Sequence, residues 1–156
     1  MATLAAMAGG FARLAWARLF RRRFPLNVFL AVTNRCNLNC RYCYGDYHHR
    51  TTEREFTLAE ITSILHELRR LGTVFLQLQG GEPLLRPDIG EIVVCCRDCG
   101  FNTDMITNAV LIPQRQEVVR RLHSICISID GERAATEANR GAGTFDPIIA
   151  GIDCCR

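Results

Sequence analysis

Four times along this 156-residue chain a short β-branched or aromatic run gives way to a stretch of helical periodicity, and that alternation limits the fold more than any other feature. The runs expected as strands are 27–33, 73–79, 101–107 and 124–130. Between them, Thr57-Leu58-Ala59-Glu60 forms a capping box, and Leu58, Ile61, Ile64, Leu65, Leu68 and Leu71 follow at helical spacing up to Gly72. Further helices are expected over 87–99 and 113–122, with a last one starting near Thr144. Strands separated by helices of this length become parallel neighbours joined by right-handed crossovers, so the predicted fold is α/β with one parallel sheet.

Such sheets bind ligands at the carboxyl ends of their strands. The chemically distinctive residues sit at those ends: Cys36, Cys40 and Cys43 after the first strand, Gly80-Gly81-Glu82-Pro83 after the second, Thr107-Asn108 after the third and Asp130-Gly131 after the fourth. Ser124, Cys126, Ser128 and Asp130 share one face of the last strand, opposite Ile125, Ile127 and Ile129, so a polar stripe should point away from the helices.

The nine cysteines are odd in number, and three of them, Cys36, Cys40 and Cys43, fall within eight residues, which fits metal ligation in a reducing cytoplasm better than disulfides. Their C-x3-C-x2-C spacing lets one loop offer three thiolates to a cubane cluster and leaves one iron without a protein ligand. An open metal position of this kind binds substrate directly. A structural zinc closed by His48 or His49 is the alternative.

The segment Thr33-Asn34-Arg35-Cys36-Asn37-Leu38-Asn39-Cys40-Arg41-Tyr42-Cys43-Tyr44 resembles the signature of the radical S-adenosylmethionine (radical SAM) superfamily, and the Gly-Gly-Glu-Pro segment is similar to its GGE motif. The resemblance implies a partial parallel (β/α) barrel in which a [4Fe-4S] cluster on Cys36, Cys40 and Cys43 cleaves S-adenosylmethionine to a 5′-deoxyadenosyl radical. It implies that Gly80, Gly81, Glu82 and Pro83 meet the methionyl amine, and that Ser128, Asp130 and Arg140 contact ribose or carboxylate. Tyr42 and Asn108 complete the implied cofactor site, although Ala109 stands where many relatives carry glycine. An external flavodoxin- or ferredoxin-like electron donor and a peptide or cofactor-precursor substrate follow by the same resemblance. Relatives commonly use six strand-helix units; four are legible here, so the core is expected to be incomplete at its C-terminus and to carry an unpaired parallel edge.

Residues 1–24 are expected to form a basic amphipathic helix ahead of a core domain at 25–156, with Arg13, Arg18 and Arg21 to Arg23 supplying much of the net charge of +3. Arg13 and Arg18 interrupt any apolar run there, which speaks against a signal peptide or a membrane span; peripheral contact with anionic lipid is the lesser alternative, and nucleic acid is not an expected partner. Cys95, Cys96, Cys99, Cys154 and Cys155 are expected as buried, inert thiols.

Overall fold

A computed structural model describes residues 23–49 and 52–156 together with Leu19. The expected N-terminal helix therefore lies outside the described residues, apart from Leu19. The sheet has four parallel strands in the order β1-β2-β3-β4: β1 (Asn27–Thr33), β2 (Phe75–Gly80), β3 (Asn102–Thr107) and β4 (Ser124–Ile127). The helices are α1 (Leu58–Leu71), α2 (Ile89–Asp98), α3 (Gln116–Val119), α4 (Arg133–Arg140) and α5 (Phe145–Asp153). Because spatial order equals chain order, right-handed crossovers put the connecting helices on one face and leave the other open.

The register makes that division visible. Leu30, Leu78, Met105 and Ile125 are successive partners across the strands and pack into the core with Ile61 and Leu65 of α1 and with Ile89, Ile92, Val93 and Cys96 of α2. Each fully buried aliphatic side chain contributes about 1.5–3 kcal/mol of transfer free energy. One residue earlier, Phe29, Gln77, Asp104 and Ser124 form the matching row on the other face. There Phe29 is 57% exposed, and Gln77 donates a hydrogen bond to Asp104.

The α1 capping box forms as the sequence predicts: Thr57 Oγ1 accepts from the Glu60 amide at 3.2 Å, and Glu60 Oε2 accepts from the Thr57 amide at 2.8 Å. Gly72 ends the helix at φ 100°, a left-handed conformation that suits glycine. Other boundaries differ. The helix expected over 113–122 shrinks to α3, because Pro113 belongs to a separate 3-10 turn (Ile112–Gln114) and Arg115 offers no side-chain cap. Strand pairing stops at Ile127, and Ile129 is 38% exposed instead of packing with Ile125 and Ile127, so the strict alternation expected to Asp130 ends early. The helix α4 was not predicted; it is rich in alanine and lies between β4 and the expected last helix, α5.

Candidate functional site

The cysteine loop leaves β1 under tight control. Glu55 receives a hydrogen bond from Thr33 Oγ1 at 2.6 Å and another from the Asn34 amide at 2.8 Å, and pairs with Arg35 at 3.2 Å. Burial alone would raise the Glu55 carboxyl, but these donors outweigh it and hold it below the usual carboxylate range. Further on, the Arg41 amide donates to the Asn139 carbonyl at 2.7 Å, and the Tyr42 amide to Asn139 Oδ1 at 3.3 Å. One residue of α4 thus holds the turn between Cys40 and Cys43.

Gly80 and Gly81 are required by packing against this loop. A Cβ on Gly80 would stand 2.3 Å from the Thr33 carbonyl oxygen, and one on Gly81 would stand 2.2 Å from that of Arg35. The Gly81 amide donates to Thr33 O at 2.9 Å and the Glu82 amide to Arg35 O at 2.8 Å. The close approach of these glycines is thus to the cysteine loop, where the amides of Gly81 and Glu82 are engaged.

Glu82 turns its side chain inward. Its side chain is fully buried and accepts from the Leu84 amide (3.0 Å), Thr107 Oγ1 (2.8 Å) and the Asn108 amide (2.8 Å), which leaves no exposed carboxylate for a cofactor amine. Burial pushes its pKa up, against the pull of those three donors. Pro83 is buried at the start of a 3-10 turn (Pro83–Leu85). Asn108 reaches across to the loop, with Nδ2 2.8 Å from Asn37 Oδ1.

Asp130 and Arg140 are found together. Arg140 Nε lies 2.7 Å from Asp130 Oδ2, and Nη2 donates to Oδ1 at 3.1 Å, while Nη1 faces Cys40 Sγ at 4.0 Å. Asn139 Nδ2 donates to the same carboxylate at 2.8 Å. Desolvation would raise Asp130, but hydrogen bonds from Arg140 and Asn139 hold it below its ordinary value. Ser128 is half-buried and donates its amide to Thr107 O at 3.0 Å. Tyr42 is 75% exposed, with the Arg41 guanidinium 5.8 Å from its ring centre.

The donor set fits a cluster bound by thiolates. Cys36, Cys40 and Cys43 are free and half-buried. Burial raises the pKa of Cys36 and of Cys40, the neighbouring thiols add to the rise, and the Arg140 charge opposes it at Cys40. Coordination deprotonates such thiols. Among the described residues no group of three or more His, Cys, Asp or Glu side chains is placed to hold a single ion. His49 Nδ1 lies 2.6 Å from Asp46 Oδ1.

The remaining cysteines divide. Cys96 is buried, which pushes its pKa up to about 12, as expected of an inert thiol. Cys95 and Cys99 are partly buried beside His66 in a surface cavity of about 440 Å³. Cys154 and Cys155 are exposed, a correction to the expected burial, because the inward side of α5 is supplied by Ile148 and Gly151.

Asn37, Glu55, Arg86 and Asn139 went unrecognised in the sequence although each anchors the loop or the end of β1. Adjacency to a singled-out residue could have flagged two of them, Asn37 beside Cys36 and Asn139 beside Arg140.

Within the described residues no helix is long and apolar enough to cross a membrane. A profile of the Radical SAM superfamily matches residues 30–156. The AdoMet-dependent heme synthase of Methanosarcina barkeri is 36% identical over 139 residues, covering 85% of this chain and 39% of the relative. A PqqA peptide cyclase of Rhodopseudomonas palustris is 34% identical over 135 residues, covering 85% of this chain and 36% of the relative. Among solved structures, native anSMEcpe with bound AdoMet matches with TM-score 0.67 and 19% identity over 81% of this chain and 39% of that one. Streptococcus suis SuiB bound to precursor peptide SuiA matches with TM-score 0.67 and 21% identity over 92% of this chain and 34% of that one. The chain thus spans about two fifths or less of the length of these relatives.

Proposed function

The chain belongs to the radical SAM superfamily, whose cofactors are a [4Fe-4S] cluster and S-adenosylmethionine, and from that premise we propose that Cys36, Cys40 and Cys43 hold three irons of the cluster and present the fourth to S-adenosylmethionine. When bound, the cluster supplies one electron to the sulfonium, giving methionine and a 5′-deoxyadenosyl radical that removes a hydrogen atom from substrate. The observation that carries this reading is convergence: the ends of β2 and β3, and the segment after β4, each touch the cysteine loop, through Gly81 to Thr33, Asn108 to Asn37 and Arg140 to Cys40.

The chain's own residues do the placing. The loop anchors at Glu55 and Asn139 hold three thiolates on one side of the strand-end edge, which turns electron transfer to a bound sulfonium into a unimolecular step. Asn108, Ser128, Asp130 and Arg140, with the exposed Tyr42, are the residues that would meet the cofactor, while Gly80 and Gly81 let the cysteine loop pack against the end of β2. The Arg140 guanidinium, between Asp130 and Cys40, brings positive charge to where a carboxylate and the cluster meet.

The substrate class we assign is a peptide. Gln77, Gln79 and Asp104 on the open sheet face offer amide and carboxylate groups suited to a peptide backbone. PqqA peptide cyclases and SuiB, solved with its precursor peptide, are among the similar proteins. An external low-potential protein is the electron donor of this reading.

The test is 5′-deoxyadenosine formation by anaerobically reconstituted, dithionite-reduced protein, with and without short synthetic peptides, beside Cys40→Ala. Wild type should release 5′-deoxyadenosine and Cys40→Ala should release none. Bound zinc without iron, or cofactor binding with no cleavage, would overturn the enzyme reading.

A further inference from the structure

Glu82 is the one fully buried carboxylate among the described residues, and no arginine, lysine or histidine side chain is among its partners. Burying an unpaired anion costs several kcal/mol after relaxation, so what surrounds it is informative. All three of its donors come from the chain itself: Leu84 two residues on, Thr107 at the end of β3 and Asn108 just past it. Both oxygens are fixed as acceptors.

Those contacts lead to the cysteine loop by two routes. Through the backbone, the Glu82 amide donates to the carbonyl of Arg35, the residue before Cys36. Through the side chain, Glu82 Oε2 fixes the Asn108 amide. The Asn108 side chain is then oriented by the Val110 amide on Oδ1 at 3.1 Å, so that Nδ2 must point at Asn37 Oδ1, 2.8 Å away, in the residue after Cys36. Cys36 is flanked on both sides by residues tied to Glu82.

We propose that Glu82 is a positioning residue that sets the place and the electrostatic surroundings of Cys36 through Asn108 and Asn37, and that its carboxylate does not touch S-adenosylmethionine. The proposal rests on the reading of Cys36 as a cluster ligand. A fixed negative charge beside a cluster disfavours the reduced, more negative state and so lowers the reduction potential. Glutamine at this position would keep the shape but lose the charge and turn an NH2 group toward backbone and hydroxyl donors.

The decisive measurements are made on the reconstituted full chain: iron content, the midpoint potential and EPR spectrum of the cluster without S-adenosylmethionine, and the S-adenosylmethionine dissociation constant. Glu82→Gln should load iron, shift the potential positive and change the EPR line shape, with cofactor affinity within about threefold of wild type. Glu82→Asp, which keeps the charge, should move the potential back toward wild type. Asn37→Ala removes the exposed end of the relay and should alter the EPR spectrum with little effect on the fold, so it decides the matter if the Glu82 variants do not fold. The proposal is overturned if Glu82→Gln weakens cofactor binding tenfold or more with the potential unmoved, or if Asn37→Ala leaves the EPR spectrum unchanged. Cys36→Ala separates the two levels: full iron loading in that variant sinks the ligand reading itself, whereas lost iron there with unshifted Glu82→Gln and Asn37→Ala sinks only the positioning role.

Discussion

Arg86 Nη1 lies 2.6 Å from the carbonyl oxygen of Val32, so a side chain that follows β2 holds the last turn of β1 just before the cysteine loop. Its other donors reach Phe56 O at 2.7 Å and Asp88 at 2.7 and 3.0 Å, and the residue is only 4% exposed. Replacing it with methionine strands Asp88 and two carbonyls, and the expected loss is roughly 3 kcal/mol, read from urea denaturation of the apo-protein. Arg86→Lys should recover less than half of that, because one ammonium nitrogen cannot reach partners that the guanidinium meets from three separate nitrogens.

Gly81→Ala tests the packing of the loop on the sheet. The added methyl meets backbone oxygen at 2.2 Å, which neither partner can relieve without moving the loop. The iron bound after reconstitution should fall by more than half while the far-ultraviolet circular dichroism stays that of an α/β domain. Gly90→Ala is the control, since its Cβ would meet Val118 at an ordinary 3.7 Å inside α2. That variant should load iron normally and gain about 0.5–1 kcal/mol of stability.

Ala109 occupies a left-handed conformation at φ 68° and is fully buried. Ala109→Gly relieves about 1–2 kcal/mol of strain but gives back about 0.4–1 in unfolded-state entropy and about 0.8 in methyl burial. These terms nearly cancel, so thermal denaturation should place the variant within about 1 kcal/mol of wild type. Ala109→Val adds β-branching to the same conformation and presses toward Gly151 of α5, so it should cost roughly 2 kcal/mol or more.

The α1 cap gives a pH dependence of known sign. The Thr57 backbone amide, then Arg54, draw the Glu60 carboxyl down to about 2 from its ordinary 4.5. A depressed acid contributes stability that is present above its unfolded value and lost as pH falls from about 4.5 toward about 2. Glu60→Gln, which removes the titrating carboxyl, should flatten the loss across that acid window in denaturation at a series of pH values, whereas Thr57→Ala, which keeps the backbone amide, should cost about 1 kcal/mol at neutral pH and leave most of that slope in place.

Most of the architecture was legible because its signals are local. The capping box at Thr57 and the stop at Gly72 bound α1 to the residue, and the alternation of Gln77 and Gln79 with Leu76 and Leu78 told the open face of β2 from the packed one. The grouping of Cys36, Cys40 and Cys43 in one loop after β1 was legible from their spacing alone. What escaped depends on contacts distant in sequence. Asn139 meets Tyr42 across 97 positions, and Arg86 meets Val32 across 54, so no window on the chain contains both partners. Glu82 was recognised as important, but its burial is decided by Thr107 and Asn108 and not by its own neighbours. The short α3 was overestimated because Gln116 to Leu122 has helical composition, while Pro113 and the uncapped Arg115 break its start.

The amides of Gly81 and Glu82, bonded to the carbonyls of Thr33 and Arg35, carry the pairing of β1 and β2 past the last strand residue and into the cysteine loop. On the proposed reading of Cys36, Cys40 and Cys43 as cluster ligands, a frame stitched to a sheet in this way relaxes little when the charge on its sulfurs changes. Such a frame keeps the reorganisation energy of electron uptake small.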